Sequence, residues 1–579
     1  MLQPRASAAA TIDPPLHALQ ARWSGSLSLE SLYLAFADWL LHLLRSPGKR
    51  LDLLQLGLSQ ARQIEGYLLQ CALREDGGAA PCAGTPANDR RFADPAWRQW
   101  PFNVLQQCFL LQQRWWHAAT TDVHGVSPHH QALMDFVARQ WLDVFSPGNF
   151  LFTNPVVLER TQQQGGQNLL RGSLNWTDDV VRYLSGAALP GAERFVVGRD
   201  VATSAGRVVL RNSLIELIQY APATERVHPE PILIVPAWIM KYYVLDLSPG
   251  NSLIGYLVAH GYTVFCISWK NPERSDAGLG MDDYLRLGVH AALDAIGAVL
   301  PQRRVHAAGY CLGGTLLSIA AAAMARDEDD RLASLTLLAA QTDFSEPGEL
   351  ALFVDESEIS LLEDQMAQAG YLTATQMAGA FQMLRSYDLL WSRMVSDYLL
   401  GERRGMNDLM AWNADATRMP ATMHSQYLRQ LYLHNDLAEG RYRVDGRPVE
   451  LKDIRVPVFC VATETDHVAP WRSVYKAHRL FAGDLAFVLA SGGHNAGVVS
   501  EPGHPGRSFR LLALADGART LAADAWLSRA ERREGSWWPA WLAWLDARSG
   551  TPEPPPPMGL PGAAPDELTP APGRYVFEK

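Results

Sequence analysis

The chain has no Cys-x-x-Cys pair. Its six cysteines are irregularly spaced over 579 residues. That excludes a disulfide framework and a zinc-ribbon pattern, and it suits a reducing compartment where a free thiol survives. Basic excess is missing too: 51 Lys and Arg stand against 61 Asp and Glu, a net charge of -10. No global positive field is therefore offered to nucleic acid. Long apolar runs are absent. The most apolar early stretch, "LYLAFADWLLHLL", is broken by Asp38 and His42 and is too short to span a bilayer. The opening "MLQPRASAAATIDPP" carries no apolar segment of a secretory signal. There is no short-period repeat, no phosphate-cradling glycine loop and no metal-ligand cluster, so neither a metal nor a cofactor is expected. What remains is 48% apolar and 19% charged, the composition of a globular cytoplasmic protein with room for two or more domains.

Residues 1–210 read as a mainly helical N-terminal domain. "SLESLYLAFADWLLHLLRSP" opens on a Ser/Glu helix-start signal and repeats apolar residues at helical spacing. A Gly/Pro-rich gap, "EDGGAAPCAGTPAND", separates it from the amphipathic, aromatic runs "NVLQQCFLLQQRWWHAA" and "HHQALMDFVARQWLDVF", whose aromatic stripes are read as core. From 211 to 550 the texture changes to strand, glycine turn and helix. "PILIV", "YTVFCISW", "RVHAAGY", "LASLTLLAA", "VPVFCVATE" and "DLAFVLAS" are short buried strands alternating with helical runs. Such alternation predicts a parallel sheet covered on both faces. A helical insertion at about 345–440 is placed to cap the site. The stretch 551–579 is Pro-rich and predicted extended or disordered.

"RVHAAGYCLGGTLLSIAAAAMA" runs strand, sharp glycine-flanked turn, Ala-rich helix. This is the context of a nucleophile elbow, the turn on which the α/β-hydrolase fold presents its nucleophile, here Cys311. A helix N-terminus beside the sulfur favours its thiolate. The elbow needs an acid and then a histidine further along the chain. "VFCVATETDHVAPW" ends a strand at Asp466, and "DLAFVLASGGHNAG" ends the next at His494. Both fall where open α/β sheets keep their sites. His494 would take the thiol proton and Asp466 would hold the imidazole. His467, directly beside the acid, is the less favoured base. Oxyanion donors are expected at the backbone N–H of Leu312, just after the nucleophile, and of Ile239, in the loop after the first parallel strand. A cysteine acyl-enzyme is a thioester, close in energy to an acyl-CoA, which hints at acyl transfer rather than hydrolysis.

With those residues in view, the chain resembles the polyhydroxyalkanoate synthases, and more closely their long class I type. "GYCLGG" is similar to the family box G-x-C-x-G-G at Gly309, Cys311, Gly313 and Gly314. "TDHVAPW" and "SGGHNAGVVSEPG" resemble its acid and histidine motifs. "SWKNP", "DFSEPGELALFVDE" and "SPGNFLFTNP" resemble further family segments, and residues 15–60 look like a short N-terminal module of some members. The chain departs at "PAWIMK", with Ala237 and Met240 where the family has Pro and Asn. The resemblance implies an α/β-hydrolase core with a helical cap behind the helical N-terminal domain. It implies Cys311, Asp466 and His494 as nucleophile, orienting acid and general base. The implied substrate is (R)-3-hydroxyacyl-CoA, joined to a growing polyester with release of coenzyme A and no other cofactor. Implied partners are a second copy, as a homodimer, and the hydrophobic granule surface, with no transmembrane segment and no nucleic acid. Lys241 is a cation that could meet CoA phosphates, but the pattern singles out no CoA-binding residue. Two other readings stand beside this one: a cysteine-dependent thioesterase or depolymerase on the same fold, and a non-catalytic granule-coating paralogue.

Overall fold

A computed structural model describes residues 8–24, 27–73, 80–85, 89–377, 379, 390–514 and 521–579. The chain divides into two compact units. A helical unit comprises Leu27–Leu189 and Ala378–Gly405, and a sheet unit comprises Met1–Ser26, Pro190–Met377 and Met406–Lys579.

In the helical unit, apolar residues at helical spacing form the helices Leu29–Leu44, Pro47–Leu73, Phe102–Thr120, Pro128–Val144 and Gln167–Ser185. The first starts on Ser28, whose Oγ accepts the Ser31 N–H and donates to Glu30. This is a side-chain N-cap, with Glu30 at the second helical position rather than the third that a reciprocal capping box uses. Phe92, Trp97, Phe109, Leu110 and Leu111 make a small core, with Phe92 edge-on to Trp97 at 4.7 Å. The aromatic stripes are only partly core, because Trp116, Trp141 and Phe145 are exposed.

The expected cap insertion is divided. Residues 390–405 pack within the helical unit: Asn168 and Asn175 donate to the carbonyls of Leu399 and Asp397. Gly172 lies so close to Tyr398 that a Cβ would stand 1.8 Å from its carbonyl oxygen. The front of "QMLRSYDLLWSRMVSDYLL", residues 382–389, lies outside the described residues.

The sheet unit is built on ten strands: β1 Gly206–Arg211, β2 Ile215–Tyr220, β3 Ile232–Val235, β4 Val264–Trp269, β5 Val305–Tyr310, β6 Leu332–Leu338, β7 Val458–Thr463, β8 Leu485–Ala490, β9 Ser508–Leu514 and β10 Glu531–Glu534. Their spatial order is β1-β2-β4-β3-β5-β6-β7-β8-β9-β10. Strands β4 to β8 in that order pair in parallel, flanked by antiparallel pairs at each edge. Strands β3, β4, β5, β7 and β8 are buried along their whole length, which is why they read as continuous apolar runs. This is the α/β class the sequence predicts, and the sheet begins at Gly206, slightly before the anticipated boundary.

The Pro-rich stretch 551–579, expected to be extended or disordered, combines extended segments with turns and short 3-10 helices at Pro565–Glu567 and Tyr575–Phe577, and it is a built part of the sheet unit. The Val208 N–H donates to the Thr569 carbonyl, and Glu553 pairs with Val227. The fully buried Glu216 carboxylate accepts the N–H groups of Arg574 and Tyr575 at 2.7 and 3.0 Å and is paired with Arg211. A buried carboxylate needs such partners.

Candidate active site

The backbone turns sharply between β5 and the helix Leu312–Arg326. Cys311 holds φ 51° and ψ -124°, a conformation rare for a residue with a Cβ and stored only where the surroundings impose it. Three glycines make the turn possible. A Cβ on Gly309 would stand 2.4 Å from the Gly314 Cα, and one on Gly313 would stand 2.1 Å from the Val235 carbonyl oxygen at the end of β3. One on Gly314 would stand 2.5 Å from the Ala340 Cβ. The Cys311 N–H donates to the Leu338 carbonyl at the end of β6, and its own carbonyl accepts from Gly314 and Thr315, starting the helix. The sulfur thus sits at a helix N-terminus, with the Leu312 N–H immediately after it.

Asp466 follows β7 and His494 follows β8, two and three strands along from β5 at the same C-terminal edge of the sheet. His494 Nδ1 lies 2.7 Å from Asp466 Oδ2. Asp466 also accepts the N–H groups of Val468 and Ala469 at 2.9 and 2.8 Å and the Thr463 hydroxyl at 3.2 Å. Its side chain is fully buried and that of His494 is 10% exposed. Burial would raise the Asp466 carboxyl, but the His494 imidazole and the two N–H groups hold it below the ordinary carboxylate range. Burial would likewise depress His494. The Asp466 carboxylate, and after it the nearby Cys311 sulfur, outweigh it and raise His494 well above an ordinary histidine. Nδ1 is committed to Asp466, and the structure sets this His494–Asp466 pair beside Cys311.

The loop after β3 touches the elbow through Gly313 and carries Ile239, whose carbonyl accepts the Thr417 N–H. The departures from the family run are accommodated there. Ala237 is buried, and Met240 packs partly buried against the core while its backbone pairs with Ala416. Lys241 is not available to CoA phosphates. It is 3% exposed, and its ammonium donates to the carbonyls of Tyr575 and Glu578.

Four residues join the site that sequence patterns did not single out. Tyr310, just before Cys311, donates its hydroxyl to Asn495, the neighbour of His494, and sets its ring, tilted by 39°, 5.6 Å from the imidazole. Adjacency to the two motifs was their only signal. Tyr427 and Tyr432, from the insertion, pack edge to face with ring centroids 5.3 Å apart; burial raises both phenols, with a smaller contribution from Cys311 nearby. Nothing in a short apolar helix predicts that. Cys311 itself is 9% exposed. Two surface cavities of about 310 and 340 Å³ are lined by cap and loop residues, and neither touches Cys311, Asp466 or His494. Among the described residues no three His, Cys, Asp or Glu side chains gather as a metal site, and no helix is long and apolar enough to cross a membrane.

A strained residue on a strand–turn–helix elbow, with acid and histidine on the next strand ends, defines a protein of the α/β-hydrolase fold. Residues 230–500 match the family model described as alpha/beta hydrolase fold. Residues 88–257 match that of the poly-beta-hydroxybutyrate polymerase (PhaC) N-terminus, and residues 7–49 that of the poly-beta-hydroxybutyrate polymerase N terminal. A poly(3-hydroxyalkanoate) polymerase of Methylorubrum extorquens is 43% identical over 506 residues, 86% of this chain and 82% of that one. The poly(3-hydroxyalkanoate) polymerase subunit PhaC of Cupriavidus necator is 37% identical over 533 residues, 91% of this chain and 89% of that one. The chain belongs to the poly(3-hydroxyalkanoate) polymerase family, and is an enzyme.

Proposed function

We propose that this enzyme polymerises (R)-3-hydroxyacyl-CoA, of the class I type, by covalent catalysis at Cys311. His494 draws the thiol proton, with Asp466 holding the imidazolium. The thiolate attacks the substrate's thioester carbonyl, and the tetrahedral oxyanion is received by the N–H groups of Leu312 and Ile239. The new S–C bond forms, the C–S bond to coenzyme A breaks, and the departing thiolate takes the proton from His494. The chain-end 3-hydroxyl then gives its proton to His494 and attacks an acyl thioester, forming the ester and freeing the sulfur. Thioester for thioester is nearly isoenergetic, and thioester to ester runs downhill. The reaction so written needs no cofactor beyond the CoA thioester itself.

The observation that carries this reading is Cys311 on a strained elbow beside the His494–Asp466 pair, with Cys311 only 9% exposed. Exclusion of water favours transfer to an alcohol over hydrolysis by the same thiol. Exposed Tyr33, Leu41, Leu69, Trp141, Phe152 and Tyr183 of the helical unit support residence on a hydrophobic granule within the cytoplasm, with the enzyme acting as a homodimer. Incubation with (R)-3-hydroxybutyryl-CoA tests the proposal. Insoluble polyester with equivalent CoA release supports it, whereas free 3-hydroxybutyrate as the sole product would establish the hydrolase reading instead.

A further inference from the structure

The mechanism leaves one buried cation unused. Lys241 lies two residues after Ile239, and burial pulls its ammonium down to about 8. Placing an ammonium there is costly unless it does something. Its Nζ donates to the Glu578 carbonyl at 2.7 Å and to the Tyr575 carbonyl at 3.2 Å. The same stretch of chain is held from other sides. The Asn271 N–H donates to the Glu578 carboxylate at 2.9 Å, Arg418 donates to the Lys579 backbone oxygen at 2.7 Å, and Val576 is buried. The loop itself is tied to the base of the cap. Trp412 Nε1 donates to the Lys241 carbonyl at 2.7 Å, the Thr417 hydroxyl donates to the Trp238 carbonyl at 2.6 Å, and the Thr417 N–H donates to the Ile239 carbonyl. Asn271 closes the circle by accepting the Arg418 N–H at 3.0 Å.

We propose that Lys241 and residues 575–579 form a latch that fixes the loop 236–241 and so aims the Ile239 N–H at the reacting carbonyl. Lys241 is a positioning residue, and segment 575–579 is part of the active-site machinery, although it is remote from Cys311 in sequence. The physical argument is one of rigidity. A six-residue loop leaving a strand end has few internal hydrogen bonds, and an oxyanion donor works only if it is preorganised to within a fraction of an ångström. The carbonyls of Trp238, Ile239 and Lys241 are held by Thr417 and Trp412 of the cap base, and the Lys241 side chain adds a separate restraint through residues 575–579. The inference rests on the reading of Ile239 as an oxyanion donor.

The test compares Lys241→Met, deletion of 575–579 and the two combined, each normalised to the fraction of Cys311 titrated by iodoacetamide. Alkylation does not use the oxyanion donors, so its rate is expected to stay at wild type. The latch predicts that kcat for CoA release falls about 10- to 100-fold in each single variant with KM unchanged. The combined variant should fall no further, because both lesions open the same latch. Losses that multiply in the combined variant, or wild-type kcat in Lys241→Met, overturn the proposal. If Lys241→Met does not fold, the deletion alone decides between the same outcomes. If neither folds, the segment is a fold element and the proposal is likewise overturned. Ile239→Pro separates the two layers. Full activity in that variant refutes the donor reading, whereas lost activity there beside normal Lys241→Met refutes only the latch.

Discussion

Gly313→Ala is the sharpest perturbation of the elbow that leaves every reacting side chain in place. The new Cβ would stand 2.1 Å from the Val235 carbonyl oxygen and 2.6 Å from that of Pro236. Both are backbone atoms at the exit of β3, so no rotamer change relieves the contact. The carbonyl must retreat by about 0.9 Å to reach the 3.0 Å that real Cβ contacts respect. Val235 is held in register by β5, so the movement goes into the loop that carries Ile239. A shift of that size at the proposed oxyanion donor is worth roughly 100-fold in rate. The clash adds about 1–3 kcal/mol of overpacking strain to the fold. Gly297→Ala is the control. It sits exposed in the helix Ala291–Val299 with nothing within 4 Å of the added methyl, and should stabilise by about 0.5–1 kcal/mol with unchanged kcat. The assay is CoA release from (R)-3-hydroxybutyryl-CoA per alkylatable Cys311, with thermal midpoints for both variants. Gly313→Ala within twofold of wild-type kcat and of undiminished stability would refute the reasoning that this glycine exists for close backbone approach.

Asp466→Asn keeps the shape of the dyad but removes the charge that raises His494, and kcat should fall roughly 10²- to 10⁴-fold. The same pair carries a pH signature. The raised His494 contributes stability that is complete below 6.5 and is lost only as pH rises through its elevated folded value. The lowered Asp466 contributes stability that is present above 3.8 and is lost on acidification. The gap in urea midpoint between wild type and Asp466→Asn should therefore be widest between those two values and narrow toward both extremes, and a gap independent of pH would contradict the ion pair. Glu216→Gln takes a fully buried acceptor from Arg211, Arg574 and Tyr575. It should cost about 1–3 kcal/mol and expose residues 570–579 to protease, whereas unchanged proteolysis would show that the tail is held without it.

What could be read from the sequence followed from burial. The parallel strands lie inside on both faces, so each leaves a continuous apolar run, and the site residues stand at the ends of such runs. The edge strands leave no such mark: β10 is Glu-Arg-Arg-Glu, exposed throughout, and looks like a solvated loop. The tail's docking was equally hidden. Its contacts with Lys241 and Glu216 run through backbone carbonyl and N–H groups, which carry no residue signature, while its prolines advertise only extension. Lys241 illustrates the cost of that blindness, because a lone cation near a predicted site suggests a phosphate until its partners are seen. Tyr427 and Tyr432 reach Cys311 only because the insertion folds back over the sheet, a tertiary fact that local spacing does not encode.

The central claim is that Cys311 carries the acyl group. The direct measurement is peptide mass spectrometry of protein quenched in acid during turnover of (R)-3-hydroxybutyryl-CoA, for the wild type and Cys311→Ala. A hydroxyacyl adduct on the peptide bearing Cys311, labile to hydroxylamine and absent from the inactive variant, is the predicted result. Polymer formation by Cys311→Ala, or an adduct on Cys266 or Cys460 with Cys311 unmodified, would contradict it.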